Sequence, residues 1–416
     1  MQLFFGIWAL IGAAGLWYLV NHTRLIGGLF LVLTILAWAA AQPWWIIGLL
    51  GAAAVLTLAT TRWWATTLAG CAAWLAALIS LVHIAWQLPV VWLVVAGWLV
   101  LALDYGSMRF APAWRLARMA QGRLAPPAGA QTSGCLSDGT RYIQNVVYGK
   151  RPQSTLDLYY PAHPNGKTAL LVHGGGFLWG NLPKPETLVK DGPGTYQHQL
   201  LAHGYTVAQI DYARTPQSSH PVALQQLVEA VQFLQAHRQA LAVPMDQLLF
   251  GGTSAGASLV GQFINAQCDP AWAATCAIPQ VVSPTQLTGV IFASGLLDIS
   301  QFGVTHGLKT DYLFTHMGRL YAGVDDLKHA SSVAAMDVLP RVSAAWPPVF
   351  LSDGNHGTFY DQAKRLATKL QALAVPCTLV WFARSEAQLG HTFEKGHTPQ
   401  AQAVRKQLDA WLNKRA

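Results

Sequence analysis

The chain has 416 residues, 52% of them hydrophobic and 11% charged, with a net charge of +8. That length accommodates more than one domain. Apart from the arginines between Arg109 and Arg123, no basic stretch is interleaved with aromatics, and neither H-E-x-x-H nor C-x-x-C occurs, which argues against a nucleic-acid partner, a metalloprotease and a dithiol redox centre.

The charge is distributed unevenly. Up to Leu103 the only charged residues are Arg24 and Arg62. Five apolar stretches fill this region: Phe4–Val20, Leu25–Ala41, Trp44–Thr60, Ala65–Val82 and Leu88–Leu103. Each is near the ~20 residues that cross a bilayer as a helix. Tryptophans crowd the short breaks at Trp44, Trp45, Trp63, Trp64 and Trp86, as interfacial aromatics do. The pattern repeats without a cleavage signature, so it is not a signal peptide. Residues 1–105 are therefore expected to form an all-α transmembrane bundle of about five spans. No Asp or Glu lies within the spans, which favours an anchor or a wall for a lipid substrate over an ion pathway.

With five spans, Arg24, Arg62 and the cluster Arg109, Arg115, Arg118 and Arg123 fall on one side. The positive-inside rule makes that side cytoplasmic and places the C-terminal domain there. Met108–Leu124 mixes apolar residues with arginines and suits a helix lying on the membrane surface. Ala125–Gly139 reads as a linker, so residues 106–139 form a connecting segment. Cys268 and Cys276 could bridge in an oxidising compartment, and free buried thiols are the favoured reading.

From Thr140 to the C-terminus, strands alternate with helices, the pattern of a mostly parallel α/β sheet. Strands are expected at Leu156–Tyr160, Thr168–Val172, Thr206–Ile210, Leu248–Phe250, Gly289–Ala293, Val349–Ser352 and Thr378–Trp381. Helices are expected at Pro221–His237, Ala257–Ala266, Asp361–Ala374 and Thr398–Leu412. Ser300–His329 lacks strand periodicity and reads as a lid.

Three motifs carry chemistry. Gly252-Thr253-Ser254-Ala255-Gly256 is a G-x-S-x-G pentapeptide between an apolar strand and a small-residue helix, the context of a nucleophile elbow. There Ser254 meets the free N–H groups of a helix N-terminus. His173-Gly174-Gly175-Gly176 follows a buried strand. Its backbone N–H groups can approach a developing oxyanion with no Cβ in the way, and Gly174, Gly175 and Ala255 are the expected donors. His173 is expected to position this loop. Gly390-His391 follows the last strand, where a general base belongs in chain order.

With these motifs in place, the chain from about Val146 to its end resembles the α/β-hydrolase esterases. More narrowly, it is similar to the hormone-sensitive-lipase-like and prenylcysteine-methylesterase-like carboxylesterases. The carrying residues include Tyr148-Gly149, Leu156-Asp157-Leu158-Tyr159, the two glycine motifs, Asp211-Tyr212, Pro347–Leu351 and Gly390-His391. The resemblance implies an α/β-hydrolase fold with helices on both faces of the sheet, an acyl-enzyme on Ser254, and neither metal nor organic cofactor.

The chain departs from that family at one point. The acid follows the strand at Pro347–Ser352 as Gly-x-x-Asp in the family, and here its position holds Gly357. Asp353 at the strand end is favoured as the substitute, with Asp361 and Asp298 as alternatives. The expected function is a membrane-anchored serine hydrolase acting on a small or lipid-borne ester, with membrane lipids as its other partners. An acyltransferase using the same acyl-enzyme and a weakened hydrolase-fold scaffold stand as alternatives. The sequence carries no signal for oligomeric state.

Overall fold

The computed structural model describes residues 129–180, 182, 183, 185 and 196–415. The five predicted spans and the surface helix at Met108–Leu124 lie outside the described residues. Among the described residues, no helix is long and apolar enough to cross a membrane.

Among the described residues, nine strands form one sheet: β1 (Thr132–Cys135), β2 (Arg141–Val147), β3 (Thr155–Tyr160), β4 (Thr168–Val172), β5 (Thr206–Ile210), β6 (Leu248–Thr253), β7 (Leu287–Ala293), β8 (Val349–Ser352) and β9 (Cys377–Val380). Their spatial order is β1-β2-β3-β5-β4-β6-β7-β8-β9. β1, β2 and β3 run antiparallel up to β5, and every pairing from β5 to β9 is parallel. The helices are α1 (Tyr196–Ala202), α2 (Val222–Ala236), α3 (Ala255–Cys268), α4 (Pro270–Thr275), α5 (Leu308–Ala322), α6 (Ser331–Ala334), α7 (Tyr360–Ala372) and α8 (Pro399–Asn413).

The strands at the sheet centre are buried on both faces, as crossover helices require. Their side chains alternate between two apolar layers. On one face Ala169, Val207, Leu249, Ile291 and Phe350 pack with Leu200 of α1 and Val404, Leu408 and Trp411 of α8. On the other face Leu170, Ala208, Phe250, Val290 and Leu351 pack with Leu227 and Val231 of α2, Leu259 and Phe263 of α3, and Leu366 of α7. The helices on both faces match the expectation.

One feature differs from the sequence reading, and one element fills a region that it left open. Thr132–Cys135 lies inside the predicted linker yet forms β1. Thr-Ser-Gly-Cys has no hydrophobic alternation, so backbone pairing with β2 creates this strand. The predicted lid at Ser300–His329 contains α5, whose Met317 and Tyr321 are buried in the core.

Candidate active site

Parallel strands discharge their C-terminal ends at one edge of the sheet, where ligands of open α/β sheets bind. Here the residues immediately after β4, β5, β6, β7 and β8 are His173, Asp211, Ser254, Ser294 and Asp353. Neighbouring strands thus deliver five polar side chains to one region.

Ser254 sits between the end of β6 and the start of α3 with φ 52° and ψ −117°. A non-glycine residue at positive φ is strained, and such strain persists only where its surroundings hold it. The holding contacts are clear. The Ser254 N–H donates to the Ala293 carbonyl at 3.0 Å, and its own carbonyl accepts from Ala257 at 3.0 Å and Leu296 at 3.2 Å. A Cβ on Gly256 would collide with the carbonyls of Val172 and His173, so the elbow packs directly on the exit of β4.

His391 reaches the serine from the loop after β9. Its Nε2 lies 2.9 Å from Ser254 Oγ. The edges of Phe314 and Phe359 flank the imidazole, with ring centroids 5.3 and 5.2 Å away. Burial, followed by the charge of Lys395, pushes the imidazole down to about 4. His391 is therefore neutral at ordinary pH and its Nε2 can take a proton. Asn355 fixes the loop that carries it. Asn355 donates through Nδ2 to Ala387 at 2.7 Å and to Phe382 at 3.1 Å, and accepts from Leu389 N–H at 2.9 Å.

The structure separates the three acid candidates. Asp298 pairs with Arg365 at 2.9 Å and accepts from Ser300 at 2.6 Å. Asp361 pairs with His306 at 2.7 Å on the surface, its side chain 64% exposed. Neither contacts His391. Asp353 is fully buried, and it too stops short of the imidazole. Its Oδ1 accepts from Gly354 N–H at 2.7 Å and from the Thr358 hydroxyl. Thr358 Oγ1 in turn lies 3.0 Å from His391 Nδ1.

A second buried carboxyl, Glu394, accepts from Ser294 at 3.0 Å and from Ser352 at 2.9 Å. Burial raises it to about 7. Burial, and next the Glu394 charge, also raise Asp353 well above the usual carboxylate range.

The sequence reading missed Thr358, Asn355 and Glu394. Thr358 carried a usable signal: it is the hydroxyl residue next to Gly357, where the family keeps its acid. Glu394 carried none, because only the fold brings it beneath β7 and β8.

The glycine loop lies against Ser254. A Cβ on Gly174 would stand 3.2 Å from Ser254 Cβ and 2.8 Å from the Thr253 carbonyl. Gly175 and Gly176 adopt φ of 123° and 60°. Ala255 is the first residue of α3, where N–H groups lack intrahelical partners. His173 braces this loop. Its ring stacks on Tyr212 with centroids 4.4 Å apart, its Nε2 lies 3.0 Å from Asp211, and Tyr212 donates to the His173 carbonyl at 2.9 Å. Among the described residues, no group of three or more His, Cys, Asp or Glu side chains could hold a metal.

Comparison with known proteins bears on this geometry. A family profile described as alpha/beta hydrolase fold matches residues 169–393, more than half of the chain. An acetyl esterase of Salmonella typhi is 33% identical over 107 residues, covering 25% of this chain and 30% of that protein. The chain thus spans about 30% of the length of such curated relatives. Among solved structures, an inhibited esterase B from Lactobacillus rhamnosis has a TM-score of 0.55 at 20% identity, covering 75% of this chain and 96% of that one. Another structure of esterase B has a TM-score of 0.52 at 20% identity, with 76% and 98% covered. At that identity, these two likenesses concern the fold.

Proposed function

The chain belongs to the alpha/beta hydrolase fold family and is carboxylesterase-like, and on that premise we propose that it is a membrane-anchored serine hydrolase of carboxylic esters. One observation carries the proposal. Ser254 is held at positive φ between strand and helix, 2.9 Å from a buried, neutral His391.

In the proposed reaction Ser254 Oγ attacks the ester carbonyl while His391 Nε2 takes its proton. The N–H groups of Gly174, Gly175 and Ala255 receive the charge that develops on the carbonyl oxygen, each contributing roughly 3 kcal/mol. His391 then protonates the departing alcohol. Water, activated by the same imidazole, releases the acid from Ser254. Asp353 supports His391 through the contacts described above.

A small acyl group suits this site. Phe314, Phe359 and Met317 are buried around the imidazole and the glycine loop, and a curated relative is an acetyl esterase. The anchoring part of the proposal rests on residues 1–103, which contain two charges. It places the ester on a small alcohol or on a lipid at the bilayer surface. Cytoplasmic placement follows from the arginine distribution alone.

The test is to mix the detergent-solubilised full chain with p-nitrophenyl acetate. A burst of p-nitrophenol and an added acetyl mass on the Ser254 peptide are expected. Turnover without a burst, together with an unmodified Ser254 under rapid quench, would contradict the acyl-enzyme. Adding glycerol or methanol separates the transferase alternative, which would divert most acetyl groups from water to the alcohol.

A further inference from the structure

The carboxylate and the imidazole of this site do not touch, and one hydroxyl stands between them. We propose that Thr358 is a positioning residue that joins Asp353 to His391, so that the working array is Ser254, His391, Thr358 and Asp353. The inference rests on the serine-hydrolase reading and adds the means by which an acid outside the family position serves it.

With Asp353 ionised and able only to accept, hydrogen-bond counting fixes the direction of the chain. Asp353 Oδ1 receives two donors, the Gly354 N–H and the Thr358 O–H. A threonine hydroxyl has one proton and two lone pairs. With its proton given to Asp353, Thr358 Oγ1 can only accept from His391 Nδ1, 3.0 Å away. Nδ1 must then carry hydrogen, which leaves the Nε2 lone pair facing Ser254 Oγ at 2.9 Å. This is the tautomer that a base needs.

When Ser254 gives its proton to Nε2, the imidazolium keeps its Nδ1 hydrogen and Thr358 keeps its own. Only the Ser254 proton moves, and Asp353 stabilises the new positive charge through the polarised hydroxyl. Reversing the hydroxyl would put hydrogen on Nε2 and remove the base.

The backbone supports the arrangement. Asp353 directly follows β8, and Thr358 stands two residues before α7, so strand and helix fix the two ends of a short loop. Asp353 and Thr358 are both buried, which shields their contact from bulk solvent. Phe359, the next residue, packs its ring against His391. Gly357 has φ 62°, a left-handed turn that a glycine makes without strain. The family's acid position is thus spent on the turn that sets Thr358.

The experiment measures kcat and KM for p-nitrophenyl acetate on the full chain in detergent, with Thr358 replaced by Ser, Cys and Val. Thr358→Ser is expected to keep activity within about threefold. Thr358→Val is expected to lower kcat about 100-fold or more with little change in KM, short of the ~10⁴-fold known for a lost triad acid. Thr358→Cys should fall near Val, because a thiol is a weak donor and acceptor. Adding Asp353→Asn to Thr358→Val should cost no more than about threefold further, since the two act as one unit.

Full activity in a folded Thr358→Val protein, equal activity of Ser and Cys, or multiplying losses in the double variant would each overturn the inference. Should Val not fold, the Ser and Cys pair decides alone. A native chain that neither hydrolyses esters nor labels at Ser254 removes the hydrolase reading itself. Native activity with an indifferent Thr358 removes only this inference.

Discussion

Glu394 is a carboxyl whose burial outweighs the attraction of the neighbouring Lys395, and that makes its charge costly. Its bonds are to the hydroxyls of Ser294 and Ser352. Its pKa stands at about 7, against 4.5 for a free glutamate. The sign follows from proton binding. Between pH 4.5 and 7 the native chain holds a proton that the unfolded chain has released, so stability falls as pH rises through that window. Above pH 7 the full cost applies, about 3 kcal/mol for such a shift. Glu394→Gln keeps the shape and an acceptor for both serines and cannot ionise. The variant should be more stable than the native chain by about 1 kcal/mol at pH 5 and by about 3 kcal/mol at pH 8. Loss of the Glu394 charge also eases ionisation of Asp353, which acts in the same direction. Pulse proteolysis of the full chain in detergent across a urea series reads the difference. At a denaturant slope near 3 kcal/mol per molar, the midpoint should move up by about 1 M at pH 8 and about 0.3 M at pH 5. A gap that does not widen with pH, or a variant less stable at pH 8, would refute the reasoning. It would show that the ionised carboxylate is the form the site is built around.

Further outcomes follow from the contacts. Asp361→Asn and Asp298→Asn should leave ester hydrolysis per folded molecule within about threefold, since neither carboxylate touches His391. Asp353→Asn should lower it by about 10²- to 10⁴-fold. A steady-state assay on the three variants separates these, and a large loss in Asp298→Asn would move the acid there. Gln226 is a buried amide that accepts from Ala213 N–H and donates to Pro152 and Ser154. Gln226→Leu leaves the buried Ala213 N–H without its acceptor and should cost about 2 kcal/mol, read as a lowered urea midpoint. An unchanged midpoint would mean that the loop relaxes to re-pair it.

The limits of sequence reasoning follow a physical line. The central parallel strands were legible because burial on both faces makes them short apolar runs with glycine-rich exits. Thr168–Val172, Thr206–Ile210 and Val349–Ser352 fall where the pattern puts them. Ser254 and His391 were legible because an elbow and a terminal base need particular neighbours at fixed places in the chain. β1 was not legible, since its strand character comes from its partner. The connection from Asp353 to His391 was not legible for a related reason. Hydrogen-bond geometry over a five-residue loop depends on where Gly357 turns the chain, and no spacing rule records that. Glu394 shows the same limit at longer range. It is far from Ser294 and Ser352 in sequence, and only the ends of β7 and β8 bring the three together.

The most direct test of the central claim is labelling by a fluorophosphonate probe in membranes carrying the full chain, compared with Ser254→Ala and His391→Ala. A serine activated by the neutral imidazole 2.9 Å away predicts strong labelling of the native chain, none in Ser254→Ala, and a loss of about 10³-fold or more in rate for His391→Ala. Native labelling that survives Ser254→Ala, or a folded native chain that takes no label, would contradict it.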